Sequence, residues 1–402
     1  MALISVAEAL DHVLAHARPL DAEEAPLSEA DGRVLAADLQ SRRTQPPADV
    51  SAMDGYAVRA SDVAAAPVKL KVIGEVPAGK PFSAKVGPGE AARIFTGGFV
   101  PAGADVVVVQ EQTKRDGDVV EVEKATVAGR HVRRQGLDFK AGDKLFTKGH
   151  RLLARDLALV AGMNYPHVPV YRKPKVALFA TGDELVPPGT EPGPGQIVYS
   201  NGFALAALIR SEGAAFIDLG VVADRLDDTI AAVRRAREAG ADILVTTGGA
   251  SVGDYDFVNR ALAAEGVDLS FWKIAMRPGR PLMHGRLGKM AVLGVPGNPV
   301  SSYVCAFLFL VPLIRKLTGR DDLVAPPENA TLGCDLPEND ERADYLRSTL
   351  TRDANGYVVT PFRTQDSSMM APLSKAGCLV IREPFAPPAK AGDRCVMVRL
   401  DC

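Results

Sequence analysis

Three kinds of hydrophobic pattern follow one another along this chain. Residues 42–134 contain short runs of alternating apolar and polar positions, separated by Pro-Gly and Gly-Pro turns, which is typical of β-strands. Residues 175–319 alternate strand-like apolar runs with helix-like segments, and after Pro326-Pro327 the strand-like pattern returns. This order predicts a multidomain fold: a β-rich hairpin domain, a doubly wound three-layer α/β domain with a largely parallel sheet, and a small C-terminal β-barrel or sandwich.

Local signals place individual elements. Ser5 and Glu8 are spaced as a capping box, and the apolar positions that follow predict a helix to about Ala17. Two dipeptides, Asp116-Gly117 and Asn355-Gly356, predict tight hairpin turns. In the α/β segment, strands are predicted at 176–181, at 216–222, from Ile243 and at 290–295, with helices from Gly202, at 228–239, after Gly253 and from Pro299.

Composition narrows the classes of partner. The chain of 402 residues suggests several domains, and its formal charge of −2, with both signs interspersed, favours neither nucleic acid nor an anionic membrane as a partner. Its 5 cysteines are widely spaced without a C-x-x-C pair, which favours a reducing cytoplasm over a disulfide framework or a zinc site. The longest apolar run, 303–314, is too short to cross a bilayer.

Two turns rich in small residues carry the strongest functional signal. They contain Gly248-Gly249 with Ser251, and Pro296-Gly297-Asn298-Pro299. Backbone N–H groups in such turns can hold an anion, and open α/β sheets bind ligands beyond the carboxyl ends of their strands. The glycines and prolines could simply separate strand from helix. The polar residues clustered in both turns favour a site for a phosphorylated or nucleotide-like ligand.

Five carboxylates are expected at the same edge of the sheet: Asp183, Glu184, Asp224, Asp254 and Asp256. So many acids beside an anion site would repel the ligand unless a divalent cation were bound between them. Mg²⁺ is the cation that most often bridges carboxylates and phosphate groups. The alternative is that some of these acids are helix N-caps, with Asp183 and Asp254 the best candidates. His12 and His16, four apart in the first helix, could share a metal, but without a third ligand nearby solvated or hydrogen-bonded histidines are the better interpretation.

Cations gather in the loop between the two turns. Lys273, Arg277 and Arg280 surround a rigid Pro-Gly corner, which suggests recognition of oxyanions, although a solvated basic loop is the simpler alternative. In the β-rich segment, Asp54 is typical of a turn former before Gly55, and Thr96 lies in what could be a plain loop. Spacing alone therefore assigns neither residue a function.

Together these motifs resemble the molybdopterin molybdenumtransferases, a family that includes the bacterial MoeA proteins and the E domain of gephyrin. The resemblance runs nearly end to end. The matching runs are residues 51–58, 93–101 with 103–105, 133–138, 181–185, 247–256, 271–281 and 296–301, with Arg347 and Ser367-Ser368 in the tail. The Thr-Gly-Gly and Pro-Gly-Asn-Pro motifs also occur in the related adenylyltransferase domain.

The resemblance implies four domains: an α/β molybdopterin-binding domain (1–18 and 171–322), a connecting domain (19–41 and 137–170), a β-rich domain (42–136) and a C-terminal β-barrel (323–402). It implies a cytoplasmic homodimer in which the α/β domain of one subunit faces the β-rich domain of the other. In the implied reaction, adenylylated molybdopterin reacts with molybdate in the presence of Mg²⁺. The bond between the pterin phosphate and AMP is cleaved, AMP is released, and molybdenum remains on the dithiolene. A molybdopterin adenylyltransferase and target molybdoenzymes are the implied protein partners.

The family's residue roles carry over by motif. Asp256, with Asp224 and Glu184, would organise the water and the metal, for which Asp256 and Asp224 are the ligands, and Asp54, Thr96 and Asp138 gain a functional interpretation. The residues implied to hold phosphate or nucleotide are Gly248, Gly249 and Ser251, and Pro296, Asn298 and Pro299 are implied to bind substrate. Those implied to hold the pterin phosphate and molybdate are Lys273, Arg277, Arg280, Arg347 and either Ser367 or Ser368.

Some features depart from the family pattern. Arg277 and Arg280 stand where lysines are usual, which keeps the positive charge but replaces a compact ammonium group by a planar guanidinium group. Tyr199 stands where an acidic residue is frequent. Three alternatives remain: a molybdopterin adenylyltransferase, which would lack both β-segments; a scaffold protein, for which no long linker appears; and a tungstate-using or inactive paralogue.

Overall fold

The computed structural model describes residues 3–248, 257–271 and 273–400. Gly249, Ser251, Asp254 and Asp256, all named above as candidates, lie outside the described residues. The chain divides into two compact units. Unit 1 consists of Met1–Glu23, Gly32–Ala36 and Pro169–Cys402, and unit 2 consists of Glu24–Asp31 and Ala37–Val168.

Helices and strands alternate in unit 1, whereas strands predominate in unit 2. The helices are α1 Val6–Leu14, α2 Ala154–Gly162, α3 Asn201–Ser211, α4 Leu226–Glu238, α5 Phe257–Ala264, α6 Pro299–Cys305, α7 Val311–Leu317 and α8 Met370–Lys375. The strands are β1 Ala22–Pro26, β2 Leu39–Gln40, β3 Val50–Ser51, β4 Gly55–Val58, β5 Val68–Val76, β6 Glu90–Ile94, β7 Val106–Val109, β8 Thr113–Asp116, β9 Val119–Val122, β10 Val132–Arg133, β11 Lys144–Phe146, β12 His167–Tyr171, β13 Lys175–Thr181, β14 Leu185–Val186, β15 Ile197–Val198, β16 Ala215–Val222, β17 Ile243–Thr247, β18 Asp268–Phe271, β19 Met276–Arg277, β20 Met283–Leu287, β21 Met290–Val295, β22 Glu328–Leu332, β23 Ala343–Asp353, β24 Gly356–Pro361, β25 Cys378–Arg382 and β26 Arg394–Arg399.

A mixed sheet forms the centre of unit 1, in the order β16-β13-β17-β21-β20-β18. β13, β16, β17 and β21 are parallel, and β20 and β18 add an antiparallel edge. Alternate residues of β13 are buried on opposite faces of the sheet. Val176 and Leu178 pack in the core formed with α1, α3, α6 and α7, and Ala177 and Phe179 pack in the core formed with α4 and α5. The predicted doubly wound, three-layer arrangement is confirmed.

The helical stretch Pro299–Leu317 runs through the first of these cores. It is long and apolar enough to cross a membrane, yet 83% of its most apolar window is buried within the unit. Between α6 and α7 the segment Ala306–Leu310 is π-helical. Pro312 lies at the start of α7 and has no N–H to donate, which is compatible with a widened turn just before it. The stretch is therefore a core helix.

The C-terminal strands close into a barrel. Their order β23-β24-β22-β26-β25 returns to β23, because β23 pairs with both β24 and β25. The predicted Asn355-Gly356 turn joins β23 to β24, with Asp353 paired to Gly356. β19 pairs with β23 through Met276 and Arg277, so the cation loop is attached to the barrel. Of the two predicted alternatives, barrel and sandwich, the barrel is present.

Unit 2 is built on a curled sheet in the order β7-β4-β6-β5-β9-β8. The predicted turn at Asp116-Gly117 joins β8 to β9. β4 lies between β6 and β7, and a Cβ on Gly55 would lie only 1.9 Å from the Val108 carbonyl oxygen, so this position requires glycine. The predicted β-rich region is therefore a packed sheet.

The first helix is shorter than predicted. α1 begins with the expected capping box, in which Ser5 Oγ accepts from the Glu8 N–H at 3.2 Å and Glu8 Oε2 accepts from the Ser5 N–H at 2.8 Å. It ends at Leu14 rather than near Ala17. The Arg18 guanidinium donates to the carbonyls of Ala15 and Ala17, which satisfies acceptors that a continued helix would have used.

Candidate functional site

Three turns of unit 1 lie side by side at one edge of the mixed sheet. They follow β13, β17 and β21, whose last residues are neighbours in the parallel register. Gly248 has a φ of +90°, and a Cβ there would lie 2.5 Å from the Thr181 carbonyl oxygen. A Cβ on Gly297 would lie 3.5 Å from the Gly248 Cα. Glycine at position 248 therefore lets the turns pack closely.

Two asparagines fix the 296–299 turn to its surroundings. The Asn201 amide donates to the Gly297 carbonyl at 2.7 Å and to Thr247 Oγ1 at 3.2 Å. The Asn298 amide donates to Ser367 Oγ at 2.8 Å, and the Val300 N–H donates to the Ser367 carbonyl at 3.0 Å. Asn201 was not among the predicted site residues, although an asparagine opening a helix in this segment was a signal that could have identified it.

Of the two serines left open by the sequence, Ser367 touches the turn. Ser368 is exposed and instead donates its N–H and Oγ to Asp366 Oδ1, at 2.8 and 2.6 Å. These hydrogen bonds hold the pKa of Asp366 below its usual value. Ser367 thus contacts the 296–299 turn, whereas Ser368 is hydrogen-bonded to the Asp366 carboxylate.

Two predicted acids meet at this edge of the sheet. The Asp224 N–H donates to Asp183 Oδ1 at 3.1 Å, and the Asp183 N–H donates to Asp224 Oδ2 at 3.4 Å. Burial raises the pKa of Asp224 above its usual value, and repulsion from Asp183 and Glu184 raises it further. Asp183 is not a helix N-cap as the alternative supposed, because the strand β14 follows it.

No metal site is complete in the described part of the chain. Residues 3–248, 257–271 and 273–400 contain no group of three or more His, Cys, Asp or Glu side chains placed to hold a metal ion. His12 and His16 accordingly belong to no such group. Asp256, the other predicted metal ligand, lies outside those ranges.

The cation loop contains one engaged arginine and two other cations. Arg277 Nε donates to Asp344 at 2.8 Å and Nη1 donates to Asp340 at 3.2 Å. The pKa of Asp340 is lowered to about 2, chiefly by Arg342 and then also by Arg277. By contrast, Lys273 and Arg280 form no side-chain hydrogen bond or ion pair with any residue in the described ranges. These two cations are available for a ligand anion.

Arg347 is buried and hydrogen-bonded to its own chain. Its side chain is 1% exposed, and its guanidinium donates to the carbonyls of Asp366 and Met369 at 2.9 and 2.8 Å and to Gln365 Oε1 at 3.3 Å. Burial lowers its pKa below the usual arginine value. In this structure Arg347 holds the loop that carries Ser367; direct contact with an oxyanion remains a prediction.

In unit 2 the structure brings Asp54 and Thr96 together. Asp54 Oδ1 accepts from the Thr96 N–H at 2.7 Å and from Thr96 Oγ1 at 2.8 Å. These hydrogen bonds, with a contribution from the Arg93 charge, hold the pKa of Asp54 below its usual value. Asp138 lies on an exposed turn of the same unit, where its N–H donates to the Gln45 carbonyl at 3.0 Å.

The α/β architecture with convergent strand-end turns defines the doubly wound class of ligand-binding proteins. Residues 177–316 match the family model described as a probable molybdopterin binding domain. Residues 4–163 match the MoeA N-terminal region (domain I and II), and residues 329–399 match the MoeA C-terminal region (domain IV). The chain belongs to the MoeA family of molybdopterin molybdenumtransferases, which are transferases of molybdenum cofactor biosynthesis.

Similar proteins cover between about three quarters and all of the chain. A molybdopterin molybdenumtransferase of Nostoc is 42% identical over 74% of this chain and 70% of its own length, and that of Haemophilus influenzae is 35% identical over 93% of each. A crystal structure of the molybdopterin biosynthesis MoeA protein from Pyrococcus horikoshii superposes with a TM-score of 0.85 at 32% identity, covering 100% of both chains. The predicted family and fold class are thereby confirmed.

Proposed function

We propose that this protein transfers molybdenum from molybdate to adenylylated molybdopterin and releases AMP. The observation that carries the proposal is the convergence, at one sheet edge of unit 1, of the tightly packed turns around Gly248 and Gly297 with the acid pair Asp183 and Asp224. Such an edge is where open α/β sheets bind ligands. The family's chemistry supplies the reaction.

Both substrates are anions, and the described residues include cations to meet them. Lys273 and Arg280 have no described side-chain partner, so an incoming oxyanion would not have to displace an existing ion pair. Arg277 is already bound to Asp344 and Asp340. We therefore assign oxyanion binding to Lys273 and Arg280, and to Arg277 the fixing of the loop on the barrel.

Mg²⁺ is the proposed metal, and the described acids fit it in part. Oxygen ligands suit this ion. Burial raises the pKa of Asp224, repulsion from Asp183 and Glu184 raises it further, and a bound divalent cation would relieve that repulsion. Asp224 and Asp256 would hold the ion, with Glu184 close by to orient water. When bound, the ion would neutralise charge on the phosphoanhydride.

Asp54 is the residue of unit 2 that the proposal uses. Its carboxylate is held by both donors of Thr96 and stays ionised at neutral pH, so it can accept a hydrogen bond from substrate or water without a change of charge. Following the family resemblance, we propose that the protein works as a cytoplasmic homodimer. Light scattering coupled to size-exclusion chromatography would contradict this if it returned a monomeric mass at working concentration.

The deciding experiment measures AMP release from adenylylated molybdopterin with Mg²⁺, with and without molybdate, and scores activation of an apo-molybdoenzyme. Molybdate-dependent release with activation is the expected result. Formation of adenylylated molybdopterin from ATP and molybdopterin would assign the chain to the preceding step. Equal activity with tungstate would leave the reaction class intact and widen its substrate, and no activity with either oxyanion would refute the proposal.

A further inference from the structure

Unit 1 contains a cavity of about 610 Å³ next to the 296–299 turn. Helices α3, α6 and α8 and the barrel form its walls. Apolar side chains line it from four elements or their ends, among them Leu205, Tyr303, Leu350 and Leu373. A concave, mostly apolar space of this size is typical of small-molecule sites.

The cavity adjoins the 296–299 turn, because two of its lining residues belong to that turn or bond to it. Asn201 lines the cavity and donates its amide to the Gly297 carbonyl at 2.7 Å. Pro299 lines the cavity and directly follows Asn298, which holds Ser367. A ligand with an apolar flat end and a charged end could therefore occupy the cavity and the turn at once.

We propose that this cavity receives the fused pterin ring of the substrate, with the phosphate end directed to the 296–299 turn. The inference rests on the proposed function. Its walls from α3 and α6 lie in the stretch matched as a probable molybdopterin binding domain, and the barrel and α8 walls lie mostly in the stretch matched as domain IV. The flat ring faces contact the leucines and Tyr303, and polar ring edges meet Ser200, Asn201 and Ser374.

Filling the cavity tests the proposal. Ala204 lines the cavity from α3 and is exposed, so Ala204→Phe occupies the space without entering the core. Ala207→Phe is the matched control, because Ala207 is exposed on the same helix but does not line the cavity. Binding of a soluble 2-amino-4-oxopteridine and of AMP would be measured by calorimetry on both variants, together with their melting temperatures.

We expect Ala204→Phe to weaken pteridine binding roughly tenfold or more, while AMP binding and the melting temperature stay unchanged. Ala207→Phe should bind both pteridine and AMP as the wild type does. Equal pteridine binding by both variants overturns the proposal. The proposal is also overturned if Ala204→Phe loses AMP binding but keeps pteridine binding, because adenine would then occupy the cavity. It is overturned as well if the wild-type protein binds no pteridine at millimolar concentration. If Ala204→Phe fails to fold, Ser374→Phe fills the same space from α8 and is judged by the same criteria.

The outcome is separable from that of the proposed function. Pteridine binding that Ala204→Phe abolishes, in a protein that releases no AMP with molybdate, supports the cavity assignment and refutes the reaction. Molybdate-dependent AMP release whose KM for adenylylated molybdopterin is the same in Ala204→Phe and wild type supports the reaction and refutes the cavity assignment.

Discussion

Asp54 in unit 2 and Asp224 in unit 1 are both candidate catalytic carboxylates, and they lie in opposite electrostatic surroundings. Asp54 accepts two hydrogen bonds from Thr96, and its pKa is lowered. Asp224 is partly buried beside Asp183 and Glu184, and its pKa is raised. The donors around Asp54 compensate its charge within the chain, whereas the acids around Asp224 leave its charge to be compensated by a cation.

The same contrast separates the cations. Arg277 is neutralised by carboxylates of its own chain, whereas Lys273 and Arg280 have no partner in the described residues. Charges satisfied internally hold the structure together, and charges left unsatisfied beside the strand ends are those that can exchange water for a ligand. Under the proposed function, the comparison therefore predicts which site residues position the loops and which bind the ligand.

The largest effect is expected for Asp224→Asn. The amide oxygen can still accept from the Asp183 N–H, but the charge that attracts Mg²⁺ is gone. Apparent Mg²⁺ affinity in the AMP-release assay should fall between about tenfold and a hundredfold. Asp227→Asn, in the exposed first turn of α4, is the control and should behave as wild type. Unchanged Mg²⁺ dependence in Asp224→Asn would remove this residue from the metal site.

Asp54→Asn should have the next largest effect. Its amide oxygen keeps both Thr96 donors, so the local geometry survives while the fixed negative charge is lost. We expect kcat for AMP release to fall roughly tenfold with little change in Mg²⁺ affinity. A loss of Mg²⁺ affinity as large as that of Asp224→Asn would mean that the two carboxylates share one role.

Arg280→Ala and Arg277→Ala should separate binding from positioning. Arg280→Ala should raise the KM for molybdate about fivefold, the scale of one exposed charge-assisted contact, and leave the melting temperature unchanged. Arg277→Ala removes the partner of Asp344 and should lower the melting temperature. Thermal denaturation and molybdate titration of both variants test these expectations. A lowered melting temperature in Arg280→Ala with a raised KM for molybdate in Arg277→Ala would contradict them.

The smallest effect is a pH dependence of stability with opposite signs at the two carboxylates. The folded-state pKa of Asp54 is depressed, so its stabilisation is present above the ordinary value of 3.8 and is lost as the pH falls through the folded value. The folded-state pKa of Asp224 is raised, so its destabilisation appears as the pH rises above 3.8.

Melting temperatures measured without Mg²⁺ would check these signs. At neutral pH, Asp54→Asn should melt below wild type and Asp224→Asn above it. Both differences should shrink in acid. Two differences of the same sign at neutral pH would break the comparison on which the site assignment rests.

Much of the fold was predictable because its signals are local. The run at Val176 is apolar at every position, as a strand buried on both faces requires, and the Asn355-Gly356 and Asp116-Gly117 turns specify their hairpins through backbone conformation. The end of α1 was less predictable, because Arg18 satisfies the terminal carbonyls through contacts that periodicity does not encode.

The sequence by itself determined the order of domains, the strand-end turns and the residue types gathered near them, because periodicity and turn chemistry depend on neighbours along the chain. Only the tertiary structure decided which charges are already satisfied. Arg347, Arg277 and Arg280 all occupy cationic positions of the family motif, the last two in place of the usual lysines. The fold nevertheless buries Arg347 among loop carbonyls and pairs Arg277 with Asp344. The physical reason is that an ion pair or a buried donor depends on distance in space, and residues 277 and 344 meet only because β19 pairs with β23.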